Sequence, residues 1–296
     1  MKLLVHLHLY YRDQLPWFIG KLNNLTGFDW DLVVTGAYDD PDSRKALEAL
    51  KPDVRFVKVP NMGYDIWPFI HVIKTTDLSG YDCVLKIHTK APFLNTIHLA
   101  GQRLSGYDWR DILVNPLIGS TEIVLDNMIL LRHNPRVGML CSAKMFIRTE
   151  FKEDRRLLTR ELRRLGLLTA DRRFCAGTMF IARPAVLEYL KSDKISQEMF
   201  SEQMQSHFRG SMAHVYERIL SIAVPALGYK VKTVGVSRSG KVASSLCDMV
   251  GKPLKYCFNI ERMRDSEAKY LTLMGFRFRL DDGPGTPMRI RRLRRP

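Results

Sequence analysis

Three basic side chains alternate along one short apolar segment of the chain. Lys86, His88 and Lys90 occupy every second position at the end of residues 81–90. In an extended strand, side chains two positions apart point to the same side. A cationic row at the carboxyl end of a strand suits an anionic ligand such as a diphosphate. The alternative is that Lys90 is a solvated turn residue and His88 a partly buried histidine with its hydrogen bonds satisfied.

A second group with chemical potential lies in an apolar helical segment near residue 215. His214, Glu217 and Arg218 are spaced i, i+3 and i+4, so they share one face of a helix. A carboxylate beside a histidine and an arginine can be held ionised and aimed, as a general base requires. The alternative is a surface cluster of salt bridges.

Two glycine-containing segments are further candidates. Asn61, Gly63 and Asp65 stand where a helix begins, and they either hold the base or ribose of a nucleotide or only cap that helix. Gly177 lies inside an apolar segment, where glycine often marks a bulge or a close ligand. Arg183 follows this apolar segment, residues 174–182, and either reaches an anionic group or is an ordinary surface arginine.

Strands that alternate with helices must position these residues. The predicted strands are residues 3–10, 31–35, 54–59, 81–87, 137–141, 174–182 and 229–234. The predicted helices are residues 13–24, 43–50, 65–73, 115–132, 151–165, 184–191 and 211–226. This order predicts an α/β fold whose central sheet is mostly parallel and flanked by helices. We expect this domain to cover residues 1–236, followed by a basic C-terminal extension, residues 237–296, with a short helix near 261–273 and a mobile arginine-rich tail.

The composition narrows the class of protein. The 296 residues carry a formal net charge of +15, which implies an anionic partner: a nucleotide diphosphate, a nucleic acid or acidic lipid headgroups. The basic excess gathers in residues 144–173 and in the tail. The sequence lacks the motifs of P-loop enzymes, Rossmann dehydrogenases, α/β-hydrolases and zincins.

The cellular context is predicted from what the sequence does not contain. The longest apolar runs fall short of the roughly 20 residues of a spanning helix. The first residues read as a buried strand and not as a signal peptide. Five cysteines without metal-binding spacing favour a reducing cytosol. We therefore expect a cytoplasmic protein.

Five of these segments, in this order, resemble the rhamnan synthesis protein F family of bacterial polysaccharide glycosyltransferases. They are residues 61–69, 81–90, 106–110, 174–183 and 213–218. The resemblance implies a GT-A-like fold and transfer of a deoxysugar, typically rhamnose from a dTDP donor, to a lipid-linked or cell-surface polysaccharide. In that fold the fourth strand usually ends in an acidic DxD triplet, whereas His88-Thr89-Lys90 stands in the corresponding place here.

We therefore predict an inverting displacement without a divalent metal or other cofactor. Glu217 is the predicted base, with Asp65 as the alternative and His214 as its neighbour. The residues predicted to bind the donor and its diphosphate are Lys86, His88, Lys90, Asn61, Gly63, Arg183 and Arg218. The predicted acceptor pocket comprises Gly177, Thr178 and Trp109.

The resemblance also sets the expected partners. We expect the arginine-rich tail to hold the enzyme against anionic lipid on the inner face of the cytoplasmic membrane, beside a lipid-linked acceptor, although a tail without function is the alternative. Nucleic acid is not expected, because no nucleic-acid-binding module is recognisable. The rival interpretations are a basic nucleic-acid-binding protein and an inactive relative that binds a sugar nucleotide without transferring the sugar.

Overall fold

A computed structural model describes most of the first 235 residues and four strands beyond them. The described segments are residues 1–36, 40–92, 97–99, 102–148, 152–204, 211–235, 258–262, 269–273, 276–280 and 290–292. The chain divides into two compact units, residues 1–235 and 236–296. The division into a domain of residues 1–236 and an extension of residues 237–296 stays a prediction.

A mixed sheet forms the centre of the first unit. Within the described residues its strands, in spatial order, are β11 (Lys230–Val234), β7 (Val137–Ser142), β10 (Phe180–Ala182), β4 (Cys83–His88), β1 (Lys2–His8), β2 (Asp29–Gly36) and β3 (Arg55–Lys58). Every neighbouring pair is parallel except those that involve β10, which runs antiparallel to both β4 and β7. The predicted α/β class with a mostly parallel sheet is therefore confirmed.

Helices cover this sheet, which explains why β1, β4 and β7 are buried along nearly their whole length. The helices are α1 (Leu15–Leu22), α2 (Pro41–Leu50), α3 (Ile66–Thr75), α4 (Gly106–Ile118), α5 (Thr121–His133), α6 (Lys152–Arg164) and α7 (Met212–Ala226). Strands β1 to β3 step outward in order, whereas β4 returns to the other side of β1. With right-handed connections, α1 and α2 lie on one face and α3 on the other.

The register brings polar residues of three strands to one edge. His8 at the end of β1 pairs with His88 of β4 on one side and with Thr35 of β2 on the other. Two positions earlier, His6 pairs with Lys86. Because the side-chain period of a strand is two, these residues share one face of the sheet. Ring contacts of His6 and Lys86 with Phe69 identify it as the α3 face.

Two predicted elements are broken where the chain turns. Residues 174–182 form two short strands, β9 (Phe174–Cys175) and β10, because Gly177 and Thr178 between them have φ of +96° and +49°. β9 pairs with β8 (Phe146–Ile147) outside the central sheet. The predicted helix 115–132 is likewise two helices, since Ser120 caps a new one. Two 3-10 turns replace the helix predicted over 184–191.

The described residues of the second unit form a sheet, including residues 261–262 and 269–273, where a helix was predicted. Its described strands are β12 (Phe258–Arg262), β13 (Lys269–Leu273), β14 (Phe276–Leu280) and β15 (Ile290–Arg292), paired antiparallel in that order. The helix predicted near 261–273 is wrong, and part of the predicted tail is strand β15. The strict alternation of Phe276-Arg-Phe-Arg-Leu280 is the strand signal that indicates this sheet.

Of the helices that the structure describes, none is by itself long and apolar enough to span a membrane. Only α4 and α5 taken together meet the length and composition criteria, and they are bent by 63° at their junction. A hairpin, β5 (Ile97–Leu99) with β6 (Gln102–Leu104), precedes α4.

Candidate functional site

A buried lysine anchors the carboxyl end of β4. The Lys86 ammonium donates to Asp65 Oδ2 at 2.5 Å, to the Thr178 carbonyl at 3.0 Å and to the Thr178 hydroxyl at 2.9 Å. An ammonium has three hydrogens, so these partners satisfy it completely. Lys86 is fully buried. Its prediction as a diphosphate contact is therefore corrected: it holds Asp65 and Thr178 in place.

Thr178 completes this ion pair from the turn between β9 and β10. Its hydroxyl accepts from Lys86 and donates to Asp65 Oδ2 at 2.6 Å. The left-handed φ of Thr178 is unfavourable for a β-branched residue, and the hydrogen bonds to Lys86 and Asp65 hold it there. Thr178 is buried, and its hydroxyl is hydrogen-bonded to Lys86 and Asp65. Its predicted place in the acceptor pocket would require an exposed surface, which it does not have.

Asp65 is the carboxylate at the centre of the cluster. It lies where α3 begins, yet its side chain makes no cap hydrogen bond and turns to Lys86 instead. Burial raises the pKa of this carboxyl. His88, Lys86 and Lys90 lower it by more than burial raises it, so the net pKa lies well below its usual value. A carboxylate with so low a pKa is a poor proton acceptor, which weakens Asp65 as the alternative base.

His88 lies beside Asp65 with capacity for further hydrogen bonds. Its Nδ1 is 3.4 Å from Asp65 Oδ2, and neither buried ring nitrogen has a hydrogen-bond partner among the described residues. Burial lowers the pKa of His88 well below 6.5 and outweighs the attraction of Asp65. The ring is therefore neutral at pH 7, and its expected contribution is a hydrogen bond and not a positive charge.

Two histidines of β1, His6 and His8, lie on the same face of the sheet as His88, and the three form a histidine layer. The sequence analysis did not include His6 and His8 among the site residues. His6 Nε2 lies 2.8 Å and His8 Nδ1 lies 2.9 Å from the Thr35 hydroxyl. Burial lowers the pKa of His6 well below its usual value and that of His8 to about 4. Their spacing of two in an apolar strand is the signal that indicates a shared face.

Lys90 differs from Lys86 because its ammonium lies over an aromatic ring. The nitrogen is 3.9 Å from the centroid of the Trp109 ring, a cation–π contact. Its backbone is held by Gln14, which accepts from the Lys90 N–H at 3.3 Å and donates to its carbonyl at 2.5 Å. Burial lowers the pKa of Lys90, while Asp65 and Glu217 raise it. No carboxylate of the described chain lies within ion-pair distance of this ammonium.

Trp109 and Gly177 pack together above this lysine. The Trp109 indole donates to the Ala176 carbonyl at 3.4 Å. A Cβ on Gly177 would lie 2.6 Å from Leu113 Cδ1 and 2.9 Å from Trp109 Nε1. The space beside this glycine is therefore filled by the protein itself, which corrects its assignment to the acceptor pocket.

Glu217 reaches the same turn from α7. Its Oε1 accepts from the Gly177 N–H at 2.9 Å. The turn thus joins Glu217 to the pair formed by Asp65 and Lys86, because Thr178 is the next residue. The structure therefore brings Glu217 and the end of β4 into one cluster.

The neighbours of Glu217 on α7 have other contacts. His214 Nδ1 lies 2.8 Å from the Ser211 hydroxyl, and its ring is 6.2 Å from that of Tyr64. Arg218 is buried, donates to the His214 carbonyl at 2.6 Å and lies 5.0 Å from the centroid of the Phe174 ring. These contacts place Arg218 against α7 and β9, and its role at the diphosphate stays a prediction.

The remaining residues predicted to bind the donor are Arg183, Gly63 and Asn61. Arg183 follows β10, whose last residue pairs with Val84 near the amino end of β4, and its guanidinium donates to the Val137 carbonyl at 2.8 Å. The prediction that Arg183 joins the cationic row is therefore wrong. Gly63 has a φ of +66°, and a Cβ there would lie 2.8 Å from Trp67 Cβ, so packing explains this glycine. Asn61 is exposed in the same turn.

A small cleft opens at the same edge of the sheet, between the ends of β1 to β3 and helix α2. Thr35, which binds both histidines of β1, also lines this cleft. Asp40 caps α2 there and forms an ion pair with Arg12 at 3.3 Å, and Arg44 stacks on Phe56. The other lining residues are Leu9, Val34, Gly36, Ser43, Leu47, Val57 and Lys58.

The described side chains do not assemble a metal centre from protein ligands alone. Within the part of the chain that the structure describes, no group of three or more histidines, cysteines, aspartates or glutamates could hold a metal ion. Whether the reaction depends on a metal stays a prediction.

The fold and the site define an α/β protein whose polar cluster lies at the carboxyl edge of a mostly parallel sheet. A family model described as rhamnan synthesis protein F matches residues 1–229, and the chain belongs to this family.

The chain is also similar to a curated protein and to solved structures. It is 30% identical over 179 residues to the uncharacterized protein WxcX of Xanthomonas campestris pv. campestris (strain B100), covering 59% of this chain and 24% of that protein. The chain thus spans about a quarter of the length of this relative. A crystal structure of S. aureus TarS 1-349 in complex with UDP-GlcNAc is 12% identical, with a TM-score of 0.41, over 81% of this chain and 61% of that one. A crystal structure of S. aureus TarS is 10% identical, with a TM-score of 0.43, over 80% and 36% of the two chains.

Proposed function

We propose that this chain is a glycosyltransferase that moves a sugar from a nucleotide-diphosphate donor to a glycan acceptor. Membership of the rhamnan synthesis protein F family supports this class. The observation that carries the proposal is the cluster in which Glu217, through Gly177 and Thr178, adjoins Asp65, His88 and Lys90 at the carboxyl edge of the sheet. Ligands of open parallel sheets bind at this edge.

The family supports rhamnose as the sugar, with dTDP-rhamnose as the favoured donor and a lipid-linked or cell-surface polysaccharide as the acceptor. The cleft beside Thr35 is the proposed place for the nucleoside, because it lies at the ends of the first three strands. The donor's diphosphate then extends toward His88 and Lys90. The enzyme works in the cytoplasm on the inner face of the membrane, where such acceptors are built.

The reaction is a single displacement with inversion at the anomeric carbon. The acceptor oxygen forms the new bond as the bond to the diphosphate breaks, and the electron pair leaves with the diphosphate. The Lys90 ammonium offsets the developing negative charge, and a ring N–H of His88 donates to a phosphate oxygen. The roles predicted for these two residues are thereby retained, while Lys86 acts by holding Asp65 and Thr178.

Glu217 takes the proton of the acceptor hydroxyl. One of its oxygens is fixed by the Gly177 N–H, so the carboxylate is oriented before the acceptor arrives. Asp65 is the weaker candidate because its Oδ2 already accepts from Lys86 and Thr178. In this mechanism the Lys90 ammonium and the His88 N–H replace a divalent metal.

The test combines donor binding with turnover. A thermal-shift panel of nucleotide sugars, with and without EDTA, should show stabilisation by one donor that survives chelation. Glu217→Gln should lower the rate of nucleotide release with acceptor by about 10²–10⁴-fold and leave the donor-induced shift unchanged. Glu188→Gln, at a half-exposed ion pair with Lys191, is the matched control and should retain full activity.

Three outcomes would contradict the proposal. Stabilisation that requires Mg²⁺ or Mn²⁺ removes the metal-free mechanism. Full activity of Glu217→Gln removes the assigned base. Donor binding without nucleotide release, with any acceptor offered, identifies an inactive relative.

A further inference from the structure

Helix α6 separates an apolar face from a basic one. Leu158 and Leu162 are buried on the side that packs against α7. Glu161 is also buried, and its carboxylate is bound by Arg164, whose Nε donates to Oε2 at 2.9 Å. Arg164 therefore neutralises most of the negative charge of Glu161 inside the fold.

The outer face of α6 carries a dense array of arginines. Arg155, Arg156, Arg160 and Arg163 are exposed and, with Thr159, line one shallow open depression. Their spacing over about two turns places them on one side of the helix. The Arg160 side chain is 71% exposed, and its Nε lies 3.8 Å from Glu161, a weak pairing at the edge of this face.

An exposed apolar residue follows the helix directly. Helix α6 ends in a cap in which the Gly166 N–H donates to the Arg163 carbonyl and the Leu167 N–H to the Leu162 carbonyl. Leu168, the next residue, is 74% exposed, far more than the other large apolar residues that the structure describes. Moving the exposed Leu168 side chain from water into the interfacial region of a bilayer lowers the free energy.

We infer that the outer face of α6, with Leu168, is a docking surface for an anionic lipid bilayer. Arginine guanidinium groups bind lipid phosphates in a bidentate manner, and several on one helix face match a flat array of headgroups. A nucleic acid would also attract arginines, but the described part of this face has no aromatic side chain on which a base could stack. The inference goes beyond the proposed function, and it assigns membrane binding to the first unit and not only to the C-terminal tail.

The experiment measures co-sedimentation of the full chain with vesicles of equal parts phosphatidylcholine and phosphatidylglycerol. We expect the triple variant Arg156→Gln, Arg160→Gln and Arg163→Gln to bind on the order of 100-fold more weakly, since each arginine near an anionic surface contributes about fivefold. Leu168→Ser should weaken binding several-fold. Raised salt should weaken binding of the unchanged protein, because the attraction is electrostatic.

A second triple variant removes the same charge from other exposed positions. Lys45→Gln, Arg132→Gln and Arg136→Gln should bind almost as well as the unchanged chain. A tail variant, with Arg291, Arg292, Arg294 and Arg295 replaced by glutamine, separates the contributions of the two units. Donor-induced thermal shifts of the α6 variant should stay normal, so a failure of the proposed function would not affect this test.

The inference is overturned if the α6 and control triple variants bind vesicles equally well. It is equally overturned if only the tail variant loses binding, or if pure phosphatidylcholine vesicles bind as tightly. Loss of DNA binding in the α6 variant, with vesicle binding unchanged, would identify a polyanion and not a bilayer as the partner.

Discussion

The carboxyl end of β4 and the outer face of α6 are both basic, but the charge of Lys86 on β4 is buried and paired, whereas the arginines of α6 are exposed. At β4, Lys86 is fully buried and each of its hydrogens has a fixed acceptor. On α6, Arg156 and Arg163 are exposed to solvent. A buried charge must be paired and therefore fixes geometry, whereas an exposed charge is solvated and acts over distance. The site depends on the first kind of charge, and a docking surface requires only the second.

The largest effect is expected from breaking the buried pair. Lys86→Met removes the ammonium but leaves Asp65 charged in a confined position, with only Thr178 as a donor to its Oδ2. We expect a loss of about 3–5 kcal/mol in the free energy of unfolding, measured by urea denaturation. Donor binding should fall with it, because Thr178 and Asp65 lose their common anchor.

Two further variants test this explanation. Lys191→Met removes a lysine from the partly exposed pair with Glu188 and should cost no more than about 1 kcal/mol. The double variant Lys86→Met with Asp65→Asn removes both charges and should be more stable than Lys86→Met alone. If the double variant is the less stable, the cost does not arise from an uncompensated carboxylate.

The next effect is a pH dependence caused by the histidine layer. Burial lowers the pKa of His8 from 6.5 to about 4, so the unfolded chain binds a proton at higher pH than the folded one. Stability is therefore complete above pH 6.5 and decreases as the pH falls toward 4, by about 3 kcal/mol for His8 alone. The low pKa of Asp65 keeps that carboxylate charged throughout this range.

Unfolding measured in urea at several pH values checks this dependence. His8→Asn should reduce the loss of stability between pH 6.5 and 4, while His6 and His88 maintain part of it. His133→Asn, at the exposed last residue of α5, should leave the slope as it is. Equal slopes for both variants would show that His8 does not cause the dependence.

A smaller effect is expected at the turn that joins Glu217 to the buried pair. Gly177→Ala forces a side chain into a φ of +96° and places a Cβ within 3 Å of Leu113 and Trp109. We expect a loss of about 1–3 kcal/mol in the free energy of unfolding and weaker donor binding, as the Lys90 stack on Trp109 shifts. Gly20→Ala in helix α1 has open space and should stabilise the protein by about 0.5–1 kcal/mol.

The sequence predicted the frame of the site because periodicity is a local signal. Short apolar runs between helical segments indicated β1 to β4, and the spacing of Lys86 and His88 placed both on one face, as the register shows. The i, i+3 and i+4 spacing placed Glu217 with His214 and Arg218 on one helix, but it did not predict that Glu217 binds the Gly177 N–H.

The pattern did not predict which partners would satisfy each charge, because these come from distant parts of the chain. Thr178, 92 residues from Lys86, accepts two of its hydrogen bonds. The position of Arg183 was not predicted correctly because the residues of a strand do not determine its direction in the sheet. Strand β10 runs antiparallel to β4, so Arg183 lies near the amino end of β4 and not near its carboxyl end. Gly177 was read as part of a strand, since its positive φ depends on the packing of Trp109 and Leu113.

The smallest effect on stability belongs to the α6 arginines, and it completes the comparison with Lys86. Arg156→Gln and Arg163→Gln remove charges that solvent already stabilises, so each should change the free energy of unfolding by less than about 0.5 kcal/mol. Glutamine retains helix propensity, which keeps the backbone contribution constant. Urea denaturation at low and high salt measures both variants. A loss above 1 kcal/mol for either arginine would show that it is a structural residue of the fold, and the same variants could then no longer report on vesicle binding without a correction for unfolding.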